Sequence, residues 1–506
     1  MGIDSKSIVS ALIVFATLVI GVFMAISVST NAAGGIAAMV PLITVLLTIL
    51  ALANPRAGIF GLATLVIWVD EFKRLAVYFG GASSMTVVQT LAMPFIILAA
   101  LNLGFILNIM FGKVKLDKIG FIIYGLAGVI GAAIFGTMDA SVVERGQRAA
   151  NIAGFMTLIP ICYTYFKTFD EWRKFFGFQV LLAMPAAAWA IKQYYYGFDD
   201  IEWTYAASGL SKVHYVQMFF ISETPRVFGF FGSASAVGCA SVYGTFAIWH
   251  TFRYRKGRAL WILASIVFVW VLIASTQRTI LVYPLIVFVT AFAFRTKFRA
   301  LALYLTGATL FLLGVIFSNY ILNEGLNNVN DAIAVKGGWA EEVLNVSTFS
   351  DRVRGWTRLT HAKSWSVFGT EKEVFSDSSA GFAVDSDDYN HDIINKILIG
   401  FGVVGLLGVI IPGGFLVWTL HRSVFVTSTK QDRNDVAFVL GLSLPMIFLS
   451  FIGGDNFNTN PINLQIWTAF AGIFIHSRTL PVKFRAPVPI ETTPDFPQPT
   501  QPAVLG

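Results

Sequence analysis

Apolar runs, each about as long as a helix needs to be to cross a hydrocarbon core, recur from one end of this chain to the other, and charge is confined between them. They stand near 8–28, 34–53, 57–78, 84–110, 119–137, 150–168, 175–191, 227–250, 259–275, 279–294, 300–322, 393–420, 436–453 and 461–477, about 14 in all. Runs of this length predict helices that span a bilayer, not a barrel. The fold class is therefore all-α, a polytopic integral membrane helical bundle. The third run ends in Asp70, Glu71, Lys73 and Arg74, and four charges there predict an outer end that bends into the membrane interface. Pro94, Pro160, Pro185, Pro284, Pro412 and Pro445 fall inside runs. Kinks are expected at these positions, with neighbouring helices satisfying the freed carbonyls.

Composition agrees with lipid as the main solvent: 56% of the residues are hydrophobic, 13% are charged, and the mean hydropathy is +0.70. Charge then sets orientation. With the N-terminus inside, the inner segments hold Lys6, Arg56, Lys113 to Lys118, Lys167 to Lys174, Arg253 to Arg258, Arg295 to Arg299, Arg422 to Arg433 and Arg478 to Arg485, which is 21 of the 36 basic residues. Every short inner loop is basic, as the positive-inside rule requires. The net charge of +7 and the isoelectric point near 9.2 thus report topology and contact with anionic lipid, and no nucleic-acid partner is expected. Cys162 and Cys239 both fall in apolar runs, far apart in sequence, which predicts inert packing and neither a disulfide framework nor a metal cluster. Residues 8–28 read as an uncleaved anchor and not as a secretory signal, because Lys6 is the only base before them.

No repeat period stands out, and no soluble domain is large enough to bury its own core. Residues 1–480 form one membrane domain. Its outer face carries the loop 192–226 and the long loop 323–392, and long ordered loops are usually functional. After Arg485 the tail is rich in Pro and Thr, so 481–506 is expected to be disordered in the cytoplasm.

Candidate chemistry gathers on the outer side. Helical spacing puts Arg352 and Trp356 one turn apart, with Leu359 next, so 351–365 reads as an interfacial helix. The guanidinium of Arg352 could make paired bonds to a phosphate carried by a lipid. At about 100° per residue, Asn395, Gly402 and Gly405 lie within about 40° of His391 around the helix, giving one face with a polar pair above small residues. Such a face can receive another helix closely. A lone loop histidine is ordinarily just solvated. Arg226 and Arg278 sit at outer membrane edges, where snorkelling to headgroups is the ordinary explanation, yet several such loops could converge guanidinium groups on one anionic head. Asp385, Asp387 and Asp388 form a DxD-like cluster, but its loop faces away from cytosolic nucleotide sugars and no metal is expected. No Gly-rich nucleotide loop and no HExxH pair occurs.

The stretch NHDIINKILIGFGVVGLLG resembles the hallmark of the O-antigen ligase and O-antigen polymerase superfamily of bacterial membrane glycosyltransferases. There a His and a small amide or hydroxyl residue precede GxxG. Here His391 and Asp392 precede Gly402 and Gly405, and Asp392 departs from the Asn, Ser or Gln of the pattern. SDRVRGWTRL is similar to the family's loop arginine followed by an aromatic, giving Arg352 and Trp356. RVFGFFGSASAVG resembles its Arg-to-Gly-x-Phe segment, giving Arg226, and STQRT its outer Ser-x-x-Arg turn, giving Arg278. The matches cover about residues 226 to 410 in the family's order, and 1–200 resembles it only in hydropathy.

The resemblance implies a GT-C-like architecture and transfer of a glycan from undecaprenyl diphosphate to an acceptor hydroxyl. It further implies a periplasmic site that uses neither metal nor cofactor. Arginines 226, 278 and 352 would bind the departing diphosphate, His391 would act on the attacking hydroxyl, and Asn395, Gly402 and Gly405 would support the site. The expected partners are the lipid-linked oligosaccharide, a glycan acceptor and membrane lipids, with a chain-length regulator or a flippase as candidate protein partners. The span count of about 14 favours a polymerase over the ligase that shares these motifs. A transporter or flippase is the competing class. It would show inverted repeats, or charges and broken helices near the midplane, whereas the polar residues here are read as gathering at the outer rim.

Overall fold

The computed structural model describes residues 32–80, 84–135, 142–208, 227–233, 235–275, 278–295, 402–408, 434–443 and 460–479, with the single residues 367, 411 and 414. Among these the regular structure is helical throughout, with no strand. The elements are α1 (Ala32–Ala53), α2 (Pro55–Gly80), α3 (Ser84–Met110), α4 (Lys118–Phe135), α5 (Val142–Ala149), α6 (Leu158–Tyr165), α7 (Phe169–Tyr196), α8 (Asp200–Ala207), α9 (Cys239–Arg253), α10 (Arg258–Ala274), α11 (Arg278–Arg295) and α12 (Ile462–Thr479). Short helical segments also occupy 402–408 and Asn434–Ser443. Two helices, Val87–Met110 and Phe169–Tyr196, are long and apolar enough to cross a membrane. The expected runs at 8–28 and 300–322, the loop 323–392 apart from Val367, and the tail from 480 onward lie outside the described residues.

Local signals account for the helix ends. Asn54 alone separates α1 from α2, and its side-chain oxygen accepts from the Ala57 amide at 3.2 Å, while Pro55 takes the first helical position, where no amide is needed. Gly58 makes the hairpin tight, since a Cβ there would meet Cα of Ala51 at 2.6 Å. Thr168 caps α7 by accepting from the Glu171 amide at 3.3 Å, and Gly197 at φ +77 ends it. A capping box between Asp199 and Glu202 starts α8.

α1, α2 and α3 pack as a trio, α9 lies on α10, and α10 packs on α7. α12 sits at the centre of the bundle, against α6, α7 and α9, and every residue from 462 to 476 is buried. Gly472 permits this, because a Cβ there would overlap the indole of Trp172. The Trp172 Nε1 donates to the Thr468 carbonyl at 2.7 Å. Cys162 and Cys239 are both free and buried.

Three expectations need correction. First, α2 does not bend away at its charged end. It continues to Gly80, and Asp70, Glu71, Lys73 and Arg74 are all buried, because each charge finds a partner inside the bundle. Second, the run 150–168 is broken, but not by Pro160. A π-helical turn at Ala150–Gly154 passes into a 3-10 turn at Phe155–Thr157, and α6 restarts at Leu158, leaving Pro160 in a first turn where its missing amide costs nothing. Third, the helix expected to begin at 227 begins at Cys239; before it, 227–233 is irregular and 235–238 is a 3-10 turn.

Candidate functional site

The segment that follows Arg226 is docked into one end of the bundle. Val227, Phe228 and Phe231 are buried. The Gln193 side chain, near the end of α7, accepts through Oε1 from the amides of Phe228 at 3.0 Å and Gly229 at 2.8 Å. Arg74 on α2 donates from Nη1 to the Gly229 carbonyl at 2.7 Å and from Nη2 to that of Phe231. Its guanidinium lies over the Phe228 ring at 4.5 Å. Gly229 is needed for this turn: its φ is +56, and a Cβ would overlap the carbonyl oxygen of Ala186. Gly232 fits against the Asp70 carboxylate with no room for a side chain.

Around the turn lies a buried ionic network. Lys73 pairs with Asp70 at 2.5 Å and Arg74 with Glu71 at 3.1 Å. Both pairs are three residues apart on one helix, the spacing at which side chains meet. The Lys73 ammonium also lies 5.2 Å from the Tyr205 ring centre. Glu202 accepts from Trp189 Nε1 at 2.7 Å, from Gln193 Nε2 at 3.0 Å and from the Asp199 amide. Charges this deep persist only when paired and hydrogen-bonded. Exposed Tyr78, Phe79, Tyr194, Tyr195, Tyr196 and Trp203 rim the same end, as aromatic side chains do at a membrane interface.

Of the residues singled out by the sequence, Arg226 adjoins the docked segment but, with Arg352, His391 and Asn395, lies outside the described residues. Arg278 is the first residue of α11. The preceding helix α10 ends beside the end of α7, with the Tyr195 and Trp270 rings 6.4 Å apart. The structure therefore brings the chain after Arg226 and the start of α11 to one end of the bundle. Gly402 is buried and Gly405 half-buried in the segment 402–408.

The single helical face drawn from His391 to Gly405 needs correction. Gly402 has φ +66, far from the α-helical value, so an unbroken helix does not pass through it. The Val404 amide instead donates to the Val367 carbonyl at 3.2 Å, as an amide in a helix's first turn, lacking an intrahelical partner, must do. A residue of the long loop thus reaches the start of this helix.

The opposite end holds three of the basic segments assigned to the inner face, those of Arg56, Arg173 and Arg253. Arg56 bonds Glu171 at 3.2 Å, Arg173 reaches His250 at 2.6 Å, and Arg253 meets Asp435 through two bonds of 3.2 and 3.3 Å. His250 is sandwiched, with Trp261 stacked at 4.1 Å. Between the two ends runs a polar seam that corrects the expectation of polar residues only at the rim. Asn463 donates to Asn151 of the π-helical turn at 3.3 Å, and Gln465 to the Cys239 carbonyl at 3.1 Å. Gln179 donates to Thr468 at 3.3 Å, while Tyr243 donates to Gln179 at 3.3 Å. Among the described residues, no group of three or more His, Cys, Asp and Glu is placed to hold a metal ion.

Sequence reasoning placed Arg74 and the loop holding Gln193 and Glu202 on this side but missed that they join around Gly229. The signal was present in DEFKR, where opposite charges stand three apart inside an apolar run. Comparison with family models, with curated proteins and with solved structures finds no match to this chain.

Proposed function

We propose that the chain is a bacterial inner-membrane glycosyltransferase of about 14 spans, with both termini cytoplasmic and its site facing the periplasm. The reaction is inverting, metal-independent polymerisation, in which a glycan moves from undecaprenyl diphosphate to an acceptor sugar hydroxyl of a surface polysaccharide. One observation supports the reading: the chain that follows Arg226 and the start of α11 at Arg278 lie at the same end of the bundle, the first held by Gln193 near the end of α7 and the second following α10, whose Trp270 lies beside Tyr195. A departing diphosphate gathers negative charge beside apolar walls, where several fixed cations act strongly. His391 deprotonates or orients the attacking hydroxyl, and the diphosphate leaves as the new bond forms at the opposite face of the anomeric carbon. The test is incubation of the purified protein with undecaprenyl-diphosphate repeat units, alone and with a lipid A core acceptor. A ladder of products with repeat units alone supports a polymerase; product only with the core acceptor makes it a ligase.

The broken helix at 150–157 and the polar seam along α12 favour a second reading, a transporter or flippase, since such features line paths through membranes. Proteoliposomes that move a fluorescent undecaprenyl-linked glycan between leaflets, and form no new glycosidic bond, would establish it in place of the first.

A further inference from the structure

We infer that the turn between α9 and α10 binds the headgroup of an anionic phospholipid through Arg255, Lys256 and Arg258. The inference needs the membrane placement proposed above, with this turn on the cytoplasmic side, but neither the glycan nor the reaction. It starts from an imbalance of charge. Neighbouring cations are matched: Arg173 and Lys174 share the Asp170 carboxylate, and Arg253 meets Asp435. Arg255, Lys256 and Arg258 are exposed, and none of them has an ion pair or hydrogen bond to another described residue. Three like charges within four residues repel one another, and this turn is not built to spread them. The Tyr254 amide donates to the His250 carbonyl at 2.9 Å, and the Tyr254 ring lies against the guanidinium groups of Arg173 at 4.0 Å and Arg253 at 5.4 Å. Gly257 closes the turn at φ +70, with its carbonyl accepting from the Leu260 amide at 3.1 Å.

An anion bound among the three would offset the repulsion, and the apolar surface beside the turn identifies its source. Phe252, just before the turn, is 81% exposed. Along α10, Leu263, Ile266, Trp270 and Ile273 are all exposed, and their spacing of three, four and three residues puts them in one stripe on the helix. A phosphate at the turn places acyl chains along that stripe, so one molecule satisfies the cations and the hydrocarbon surface together. Free phosphate would engage the cations alone. Basic residues in an inner loop are the general rule for membrane proteins, but three unmatched cations on one fixed turn, next to lipid-facing side chains, make a local site of the kind that holds acidic headgroups.

The test uses the full-length protein. Lipid retained from mixed phosphatidylglycerol and phosphatidylcholine micelles is counted by native mass spectrometry, and melting midpoints are measured in phosphatidylcholine nanodiscs with and without phosphatidylglycerol. The wild type is expected to retain phosphatidylglycerol in preference and to melt higher in its presence. Arg255→Gln, Lys256→Gln and Arg258→Gln combined are expected to weaken phosphatidylglycerol binding roughly a hundredfold, since each cation near an anionic headgroup contributes about fivefold. Lys113→Gln, Lys115→Gln and Lys118→Gln combined remove as much charge from the exposed connection between α3 and α4 and are expected to leave that binding nearly unchanged. Equal losses in the two triple variants would overturn the site in favour of diffuse attraction. The absence of any preference in the wild type, or displacement of the lipid by inorganic phosphate, would overturn it as well. A fall in melting midpoint of the first variant that is the same with and without phosphatidylglycerol would mean that the cations hold a carboxylate of the chain itself. Recovery of the chain in solution without detergent would overturn the membrane placement and the inference with it.

Discussion

Arg74, fully enclosed near the end of α2, donates a 2.7 Å hydrogen bond to the carbonyl oxygen of Gly229, which lies 155 residues further along the chain. This contact joins the first helical trio to the segment that precedes α9. It also explains why α2 keeps four charges inside the bundle and does not bend out to release them.

Removing Arg74 should cost much more than removing the whole pair. Arg74→Ala leaves Glu71 buried without its cation and two carbonyls without donors, a loss of about 3–5 kcal/mol. Arg74→Met combined with Glu71→Gln removes both charges and should recover part of that loss. Thermal melts of the purified variants check this, and a double variant less stable than Arg74→Ala would mean the two residues are not coupled.

Gly229→Ala should be destabilising by roughly 2–4 kcal/mol, because it forces a positive φ on alanine and drives a methyl group into the Ala186 carbonyl. At Gly125 on α4 an added methyl group would meet nothing within 4 Å, so Gly125→Ala should be neutral or stabilising. Equal melting midpoints for the two variants would contradict the described turn.

Topology is open to reporter fusions. A reporter after Asn330 should read as extracytoplasmic and one after Gln431 as cytoplasmic, if the basic loops face inward as proposed. If both report the same side, the run 393–420 does not cross the membrane.

Turnover should be indifferent to chelators, because arginines are proposed to neutralise the diphosphate where many enzymes use a metal. Activity lost in EDTA and restored by magnesium would return attention to Asp385, Asp387 and Asp388.

His391→Ala should lower turnover by roughly a hundredfold or more in a folded protein, as loss of general-base assistance does. Arg352→Lys keeps the charge but loses the planar fork, so it too should impair turnover if the contact is paired. Polymer made at the normal rate by a folded His391→Ala variant would leave that histidine without a chemical role.

The helices themselves were legible in the sequence. The run 84–110 matches α3 to the residue, 259–275 matches α10 within one, and 279–294 lies inside α11, because an unbroken apolar stretch of that length has few ways to satisfy its backbone except as a helix. The gathering of basic segments such as Arg173 and Arg253 at one end was legible too, since alternation along the chain dictates it. What only the tertiary structure decided was the fate of polar groups whose partners are remote. DEFKR looked like a helix end escaping to the interface until Gly229 and Phe231 supplied carbonyls from another segment. Asn151 looked like the start of a plain helix until Asn463 met it across the bundle at 3.3 Å. At Gly402 the periodicity continues while the backbone, at φ +66, does not. Hydrophobic pattern is a local property and records which residues avoid water, but pairing between polar groups is set by which helices become neighbours, and no stretch of sequence carries that alone.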